Sequence, residues 1–452
     1  MKAIKEPSRS TPVIAEADVL IVGSGPAGIA AAISSARAGA DTLLVERFGC
    51  FGGNMTHVGV EGIAWYRQGK TVDVEGIGIE LEKRAKDSGA SSPEVQSSSQ
   101  AIHSELFKVV ADQWLEEEGV RTLLHATAVD VIMDGNVIKG IIIQSKMGRS
   151  AILAKRIIDA SGDADIAHLA GVPYRKTPKE DMLPVTVMFS CTGVERERFL
   201  DFVKNNPTKY KDWTKKWQVK TTGKEDERFS PYLEEPFNQA RKDGVIPKGL
   251  TSIGGTWSTI NDHGEATYLN MIHMGGIDGT DLWDLTRGEI EGRRQAMHAI
   301  HALKKYTPGF ETANLRNFGM TIGIRDTRKI EGRYGLTEQD VLNQGRFDDA
   351  IGIFPEFVDG YGVLTLPTTG RYFHVPYRTM VPKTIENLLV AGRSIAGDRV
   401  SHAAVRNMMC CTVSGQGAGV AAAVSLKTGK TTSEVAIADI HQELRRQAVR
   451  IS

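Results

Sequence analysis

The stretch that most constrains this chain runs from Ala17 to Glu46, ADVLIVGSGPAGIAAAISSARAGADTLLVE. Asp18-Val19-Leu20-Ile21-Val22 is a continuous apolar run after its first residue, the pattern of a parallel strand covered on both faces. Gly23-Ser24-Gly25-Pro26-Ala27-Gly28 supplies G-x-G-x-x-G where the chain must turn sharply and leave its backbone open to a pyrophosphate. An alanine-rich helix from Pro26 to Ala38 follows, with its first N–H groups and positive dipole end aimed at the phosphates. Gly39 suits the helix stop, and Thr42-Leu43-Leu44-Val45 reads as a second strand. Glu46 closes that strand where a carboxylate can accept hydrogen bonds from a ribose diol. One glycine motif alone is weak evidence. Here strand, turn, helix, strand and acid fall in the required order, which implies a bound dinucleotide.

The 452 residues are too many for one compact core, so two domains are expected. Lys+Arg and Asp+Glu both number 55, giving a formal net charge of zero and no global attraction to nucleic acid or anionic membrane. The four cysteines, Cys50, Cys191, Cys410 and Cys411, lack C-x-x-C spacing, which argues for a reducing compartment rather than a disulfide framework. No apolar run reaches the roughly 18 residues that span a bilayer, and the N-terminus has no apolar core of signal-peptide type. A cytoplasmic protein is the resulting expectation.

Residues 1–15 read as a polar arm. Glycines 52 and 53, in Phe51-Gly52-Gly53-Asn54-Met55, let backbone lie close to a flat or charged group. Val72 to Ala85 and Ser104 to Glu118 read as helices, and Val129-Asp130-Val131-Ile132 alternates like a strand. Asp134-Gly135-Asn136 is a hairpin turn. Ala151 to Asp159 is another apolar strand, running into Ala160-Ser161-Gly162-Asp163. From Val172 the composition shifts, and residues 176–285 read as a second, inserted domain without βαβ units. Within it Lys204 to Lys224 interleaves lysines with Tyr210, Trp213 and Trp217, which reads as a solvated amphipathic helix rather than a nucleic-acid surface. Gly319 to Arg333 suggests a short apolar strand followed by basic residues. Leu388 to Val390 belongs to a buried strand, Ser394 to Arg406 to a loop, and Asn407 to Leu426 to a helix of small residues. Gly415, Gly417 and Gly419 in that helix are positions of close packing. His298 and His301 lack partners for a metal set, and no metal is expected.

The set GSGPAG…LLVE, FGG, DASGD, IGIRDTRKIEGRYGLTEQDV, VPYRTMVP…NLLVAGRSI and SHAAVRNM…GQGAG resembles the FAD-dependent oxidoreductases with a glutathione-reductase-type FAD domain. The resemblance covers both ends of the chain and fades across 176–285. It implies an α/β architecture: a Rossmann-like FAD-binding domain with a parallel sheet and β-hairpin, 16–175 and 286–452, interrupted by an α+β substrate domain, 176–285. Gly23, Ser24, Gly25, Pro26, Ala27 and Gly28 would hold the pyrophosphate, and Glu46, with Arg47 beside it, the adenosine ribose. Ala160, Ser161, Gly162 and Asp163 would lie along the middle of the cofactor. Gly52, Gly53, Asn54 and Met55 would approach the isoalloxazine, and Asn407 and Met408 its pyrimidine edge. Val129, Gly392 and Arg393 complete the implied cofactor contacts.

Hydride exchange at flavin N5 requires a substrate carbon beside the ring and a separate proton handler, for which histidine or tyrosine titrates suitably. His402 or His374 is the expected acid/base, with Arg378 or Arg406 holding a carbonyl or carboxylate. His57 is a further histidine within reach of the ring, and Arg325 reads as an ion-pair partner. The function expected is a dehydrogenase or reductase acting on a small polar molecule, with an electron acceptor the residues do not name. An FAD-dependent monooxygenase and an RNA-directed or nonenzymatic flavoprotein are the alternatives. No nucleic-acid or membrane partner is expected, and homo-oligomerisation is left open.

Overall fold

The computed structural model describes residues 3–63, 65–67, 74–95, 97–208, 218–219, 230–367 and 370–452. Most of the Lys204 to Lys224 stretch, with Tyr210, Trp213 and Trp217, therefore lies outside the described residues.

Strand β1 (Val13–Val22) buries Val19 to Val22 completely or nearly so, turns at Gly23 into helix α1 (Pro26–Arg37), and returns as β2 (Thr42–Val45). β3 (Arg121–Leu123), β4 (Thr127–Asp134), β5 (Val137–Ser145) and β6 (Gly148–Asp159) complete the local part of one sheet, ordered β3-β2-β1-β6-β5-β4. Strand Leu388–Val390 joins it beside β6, in register with Ile157 to Asp159. β3, β2, β1, β6 and this late strand run parallel, whereas β4-β5-β6 is an antiparallel meander closed by the expected hairpin. Sheet residues that face both covering layers must be apolar, which explains the unbroken run in β1.

A second sheet holds β7 (Val185–Thr186), β8 (Phe189–Thr192), β9 (Tyr232–Leu233), β10 (Ile253–Thr256), β11 (Thr259–Ile260), β12 (Ala266–Met274) and β13 (Asn314–Phe318). Its order is β9-β10-β12-β8-β13, with β7 and β11 also on β12, and every pairing is antiparallel. Helix α2 (Leu282–Tyr306) packs Ala296, Ala299 and Leu303 into the same core. That core extends to Ile322, and the boundary expected at 285/286 falls inside α2. The composition change there marks the exposed face of α2, while its buried face is built of alanine and glycine against Val187 and Met274.

Near the C-terminus come α3 (Arg399–Val405) and α4 (Met408–Lys427). α3 replaces the loop expected over 394–406, because Asp398 caps it by accepting from Ser401 N at 2.8 Å. α4 has the length and apolar character of a membrane span, yet 94% of that window is buried inside the protein. It lies against α1: a Cβ on Gly415 would sit 2.7 Å from Ala27 Cα, and one on Gly419 would collide with Ala31 O. The strand expected after Gly319 is absent; 319–327 is irregular, and a short strand, Arg328–Ile330, follows it. The helix read over 72–85 is observed as Ile77–Asp87, its expected start lying among undescribed residues.

Candidate cofactor and substrate site

The glycine turn sits where β1, β6 and α1 converge. Gly23 adopts φ +98°, and a Cβ there would be 2.5 Å from Ala160 O. Gly28 is closed off by Gly23 O, so it serves helix–strand packing rather than the cavity. Gly25, the N-cap of α1, contributes no side-chain cap, and the first turn carries no acid. Its leading N–H groups and dipole are left for an anion. A cavity of about 300 Å³ runs past this turn, along Glu46 to Phe48, Ala126 to Ala128 and Ala160 to Asp163, and ends at Gly392, Arg393 and Met408.

Three carboxylates organise this groove. Glu46 is buried and accepts from Ser24 N at 2.9 Å, Ser24 Oγ at 2.6 Å and Phe48 N at 2.9 Å, which ties the end of β2 to the glycine turn. Asp163 accepts from Arg393 Nη2 and Thr327 Oγ1, both at 2.6 Å, joining the first and last parts of the chain. Asp159 accepts from Ser161 N, Ser161 Oγ and Ala167 N, and burial pushes its pKa up to about 6. Asp159 thus shapes the turn beneath the cofactor groove, a role sequence reading missed because it looks like the end of an apolar strand.

Most expected cofactor residues line the groove: Gly23, Ser24, Gly25, Pro26, Ala27, Glu46, Arg47, Gly53, Asn54, Ala160, Ser161, Gly162, Asp163, Gly392, Arg393 and Met408. Gly28, Gly52 and Met55 stand behind its wall; Gly52 N donates to Ser24 O at 3.0 Å, and Met55 is packed in the core. Val129 does not line the groove, whereas Ala128 does; the β4-β5 register shifts between Ala128 and Asp130. Asn407 is the N-cap of α4 and faces a second cavity.

That second cavity measures about 180 Å³ and adjoins the groove. Asn54, Ile324, Arg406 and Met408 line both. Its polar wall comes from Tyr268, Asn270, Arg325, Asp359 and Arg406, and much of the remainder from Ile63, Trp65, Phe354, Phe357, Leu364 and Leu366. Arg406 donates to Asp359, through the backbone carbonyl and through Oδ2 at 3.3 Å. Tyr268 is held in the left-handed region at φ +52°. Burial raises its pKa, so the phenol stays protonated. Tyr268, Asn270, Arg325 and Asp359 sit on segments far apart in the chain, and Arg325 had read as an ion-pair partner.

The expected catalytic set divides. Arg406 lines both cavities and His57 lines the groove, with its Nε2 donating to Cys50 O at 2.8 Å. His402 lines neither. It is 1% exposed, its ring nitrogens lie 3.1 Å from Arg393 O and 3.0 Å from Arg325 O, and burial pulls its pKa down to about 3. The ring is enclosed between two backbone carbonyls and faces neither cavity. His374 also lines neither, its Nδ1 lying against Phe347 N at 3.1 Å. Arg378 is on the surface, paired with Asp349 at 2.9 Å. Cys50 and Cys410 are buried, and Cys411, also buried, contributes to the groove lining. Among the described residues no cluster could hold a metal ion.

A Rossmann-like α/β sheet with a glycine turn, an acid-anchored β2 and a C-terminal return over the same groove defines the FAD-binding flavoprotein class. The family model for FAD-dependent oxidoreductases matches residues 18–444, and the chain belongs to that family. Digeranylgeranylglycerophospholipid reductase 2 of Methanopyrus kandleri is 26% identical over 210 residues, 40% of this chain and 46% of that protein. Thiamine thiazole synthase of Saccharolobus islandicus is 28% identical over 187 residues, 39% of this chain and 65% of that protein. The chain thus aligns with less than two thirds of either relative. The chain is similar to a geranylgeranyl bacteriochlorophyll reductase-like protein of Thermoplasma acidophilum at 13% identity and TM-score 0.48, over 96% of this chain and 82% of that one. The groove fits FAD: it offers an uncapped helix N-terminus for the diphosphate, and a Cβ on Gly25 would meet only Gly53 Cα, 3.9 Å away, so backbone lies open there.

Proposed function

We propose that the chain moves a hydride between FAD, bound along the groove, and a small polar organic substrate in the adjoining cavity. The observation that carries this reading is the shared wall of Asn54, Ile324, Arg406 and Met408, which makes the end of the groove the side of the substrate cavity. When bound, FAD supplies hydride acceptance or donation at N5. The chain's own residues do the rest. Asn54 and Met408 fix the boundary between the two ligands. Arg406, braced by Asp359, places a guanidinium where an oxygen of the substrate must lie. Tyr268, kept neutral by burial, offers an O–H to a substrate oxygen and serves as the proton handler that His402 and His374 do not supply. The apolar wall excludes water from this exchange. Four buried free cysteines accord with a reducing, cytoplasmic setting.

Anaerobic mixing with a panel of small hydroxy acids, alcohols and saturated acids tests the reading. At least one should bleach the flavin band directly, and Tyr268→Phe should retain FAD while losing most of that rate, on the order of 10²-fold. Bleaching by nicotinamide alone, followed by oxygen appearing stoichiometrically in product, would select the monooxygenase instead.

A further inference from the structure

We propose that the 180 Å³ cavity binds a small organic carboxylate, gripped through its carboxyl group by Arg325; this deepens, and rests on, the reading that FAD occupies the adjoining groove. Among the described residues the Arg325 side chain has two hydrogen-bond acceptors, Pro184 O at 2.5 Å from Nη1 and Asn270 Oδ1 at 3.5 Å from Nη2. Among the described residues no carboxylate pairs with it. Its neighbours are treated differently: Arg328 pairs with Asp165 at 2.9 Å, Arg393 with Asp163 at 2.6 Å and Arg406 with Asp359 at 3.3 Å. The cavity lining therefore carries two guanidiniums against one carboxylate, which Arg406 already engages.

A guanidinium removed from water without a counter-ion is costly, and the cost is recovered when a ligand brings the anion. Burial and the nearby Arg406 pull the Arg325 pKa down to about 10 against a smaller upward pull from Asp359 and Tyr268, which still leaves it charged at neutral pH. The planar fork has donors in hand for a bidentate carboxylate, the geometry arginine serves best. The apolar part of the lining decides against an inorganic anion. Trp65, Phe354, Phe357, Leu364 and Leu366 would gain nothing from phosphate or sulfate, but each can cover hydrocarbon. The volume limits the ligand, since pockets for drug-sized molecules run to roughly 300–1,000 Å³. The substrate class is accordingly a short-chain or single-ring organic acid.

Titrating FAD-loaded protein with acetate, butyrate and benzoate, and following the flavin visible band, tests the assignment. Matched arms use acetamide, butyramide, benzamide and inorganic sulfate. The acids should perturb the band saturably, butyrate and benzoate more tightly than acetate, whereas the amides and sulfate should not. Arg325→Met should weaken carboxylate binding roughly 10- to 100-fold with FAD content unchanged. Arg325→Lys, which keeps the charge and loses the fork, should fall between and serves if the methionine variant does not fold. Amides binding as well as acids, sulfate binding as well as benzoate, no response to any acid, or an unaffected Arg325 variant would each overturn the proposal. Protein that loads no FAD fails before any acid is added, and that failure rejects the groove itself.

Discussion

The Nε2 of His402 lies 3.0 Å from the carbonyl oxygen of Arg325, and the other ring nitrogen lies 3.1 Å from that of Arg393. One buried imidazole thus lies between the backbone of an arginine lining the second cavity and that of another lining the groove, and in its neutral form its single N–H donates to one of these two carbonyls. Asp326, paired with Lys329 and Tyr361, stands 3.8 Å from the same Nε2.

This placement has a pH consequence whose sign is fixed. The folded pKa of about 3 lies below the ordinary value of 6.5, so the unfolded chain takes up a proton that the folded chain refuses. The contribution of His402 to stability is present above pH 6.5 and is lost as pH falls from there toward 3. His402→Gln should therefore make the melting temperature less sensitive to acid across that window, while flavin reduction by substrate keeps the same pH profile. A catalytic limb near neutrality that disappears in the variant would contradict that placement.

A second prediction concerns the joint between the ends of the chain. Gly415 on α4 leaves no room for a side chain beside Ala27 on α1. Gly415→Val should destabilise the protein by about 1–3 kcal/mol through overpacking, seen as a lowered denaturation midpoint, and should reduce FAD retention because Ala27 lines the groove. An unchanged midpoint would show that the helices do not meet this way.

A third follows from the residues that fall outside both cavities. Arg378→Ala breaks a pair with Asp349, worth ~0–1 kcal/mol, and a cation–π contact with Tyr334, and should leave FAD content and substrate reduction rates within experimental scatter. Loss of reduction in this variant would return Arg378 to the site.

The groove was legible because its determinants are local. The apolar run of β1, the turn from Gly23 to Gly28 and the acid at Glu46 occupy one short stretch, and their order alone specifies a phosphate-binding unit. The packing role of Gly415, Gly417 and Gly419 was legible for a similar reason: small residues repeated along a helix require a close neighbour. The second cavity was not. Tyr268 sits on β12, Arg325 in irregular backbone and Asp359 beyond both, with no spacing that connects them. His402 misled because a histidine near the flavin-facing helix suggests chemistry, while only the fold reveals two carbonyl oxygens around its ring. The boundary at 285/286 followed surface composition, whereas the core follows the buried face of α2.

Equilibrium dialysis of the stripped protein against FAD, beside a Gly25→Val variant, tests the central claim most directly. Gly25 has ordinary negative φ and an open side facing the groove. The variant should therefore fold and melt within about 1 kcal/mol of the parent while its side chain blocks the diphosphate. The account predicts one FAD per chain for the parent, with the yellow absorption band restored, and at least a tenfold loss of affinity in the variant. Folded parent protein that takes up no FAD, or a Gly25→Val variant that binds it equally well, would contradict the account.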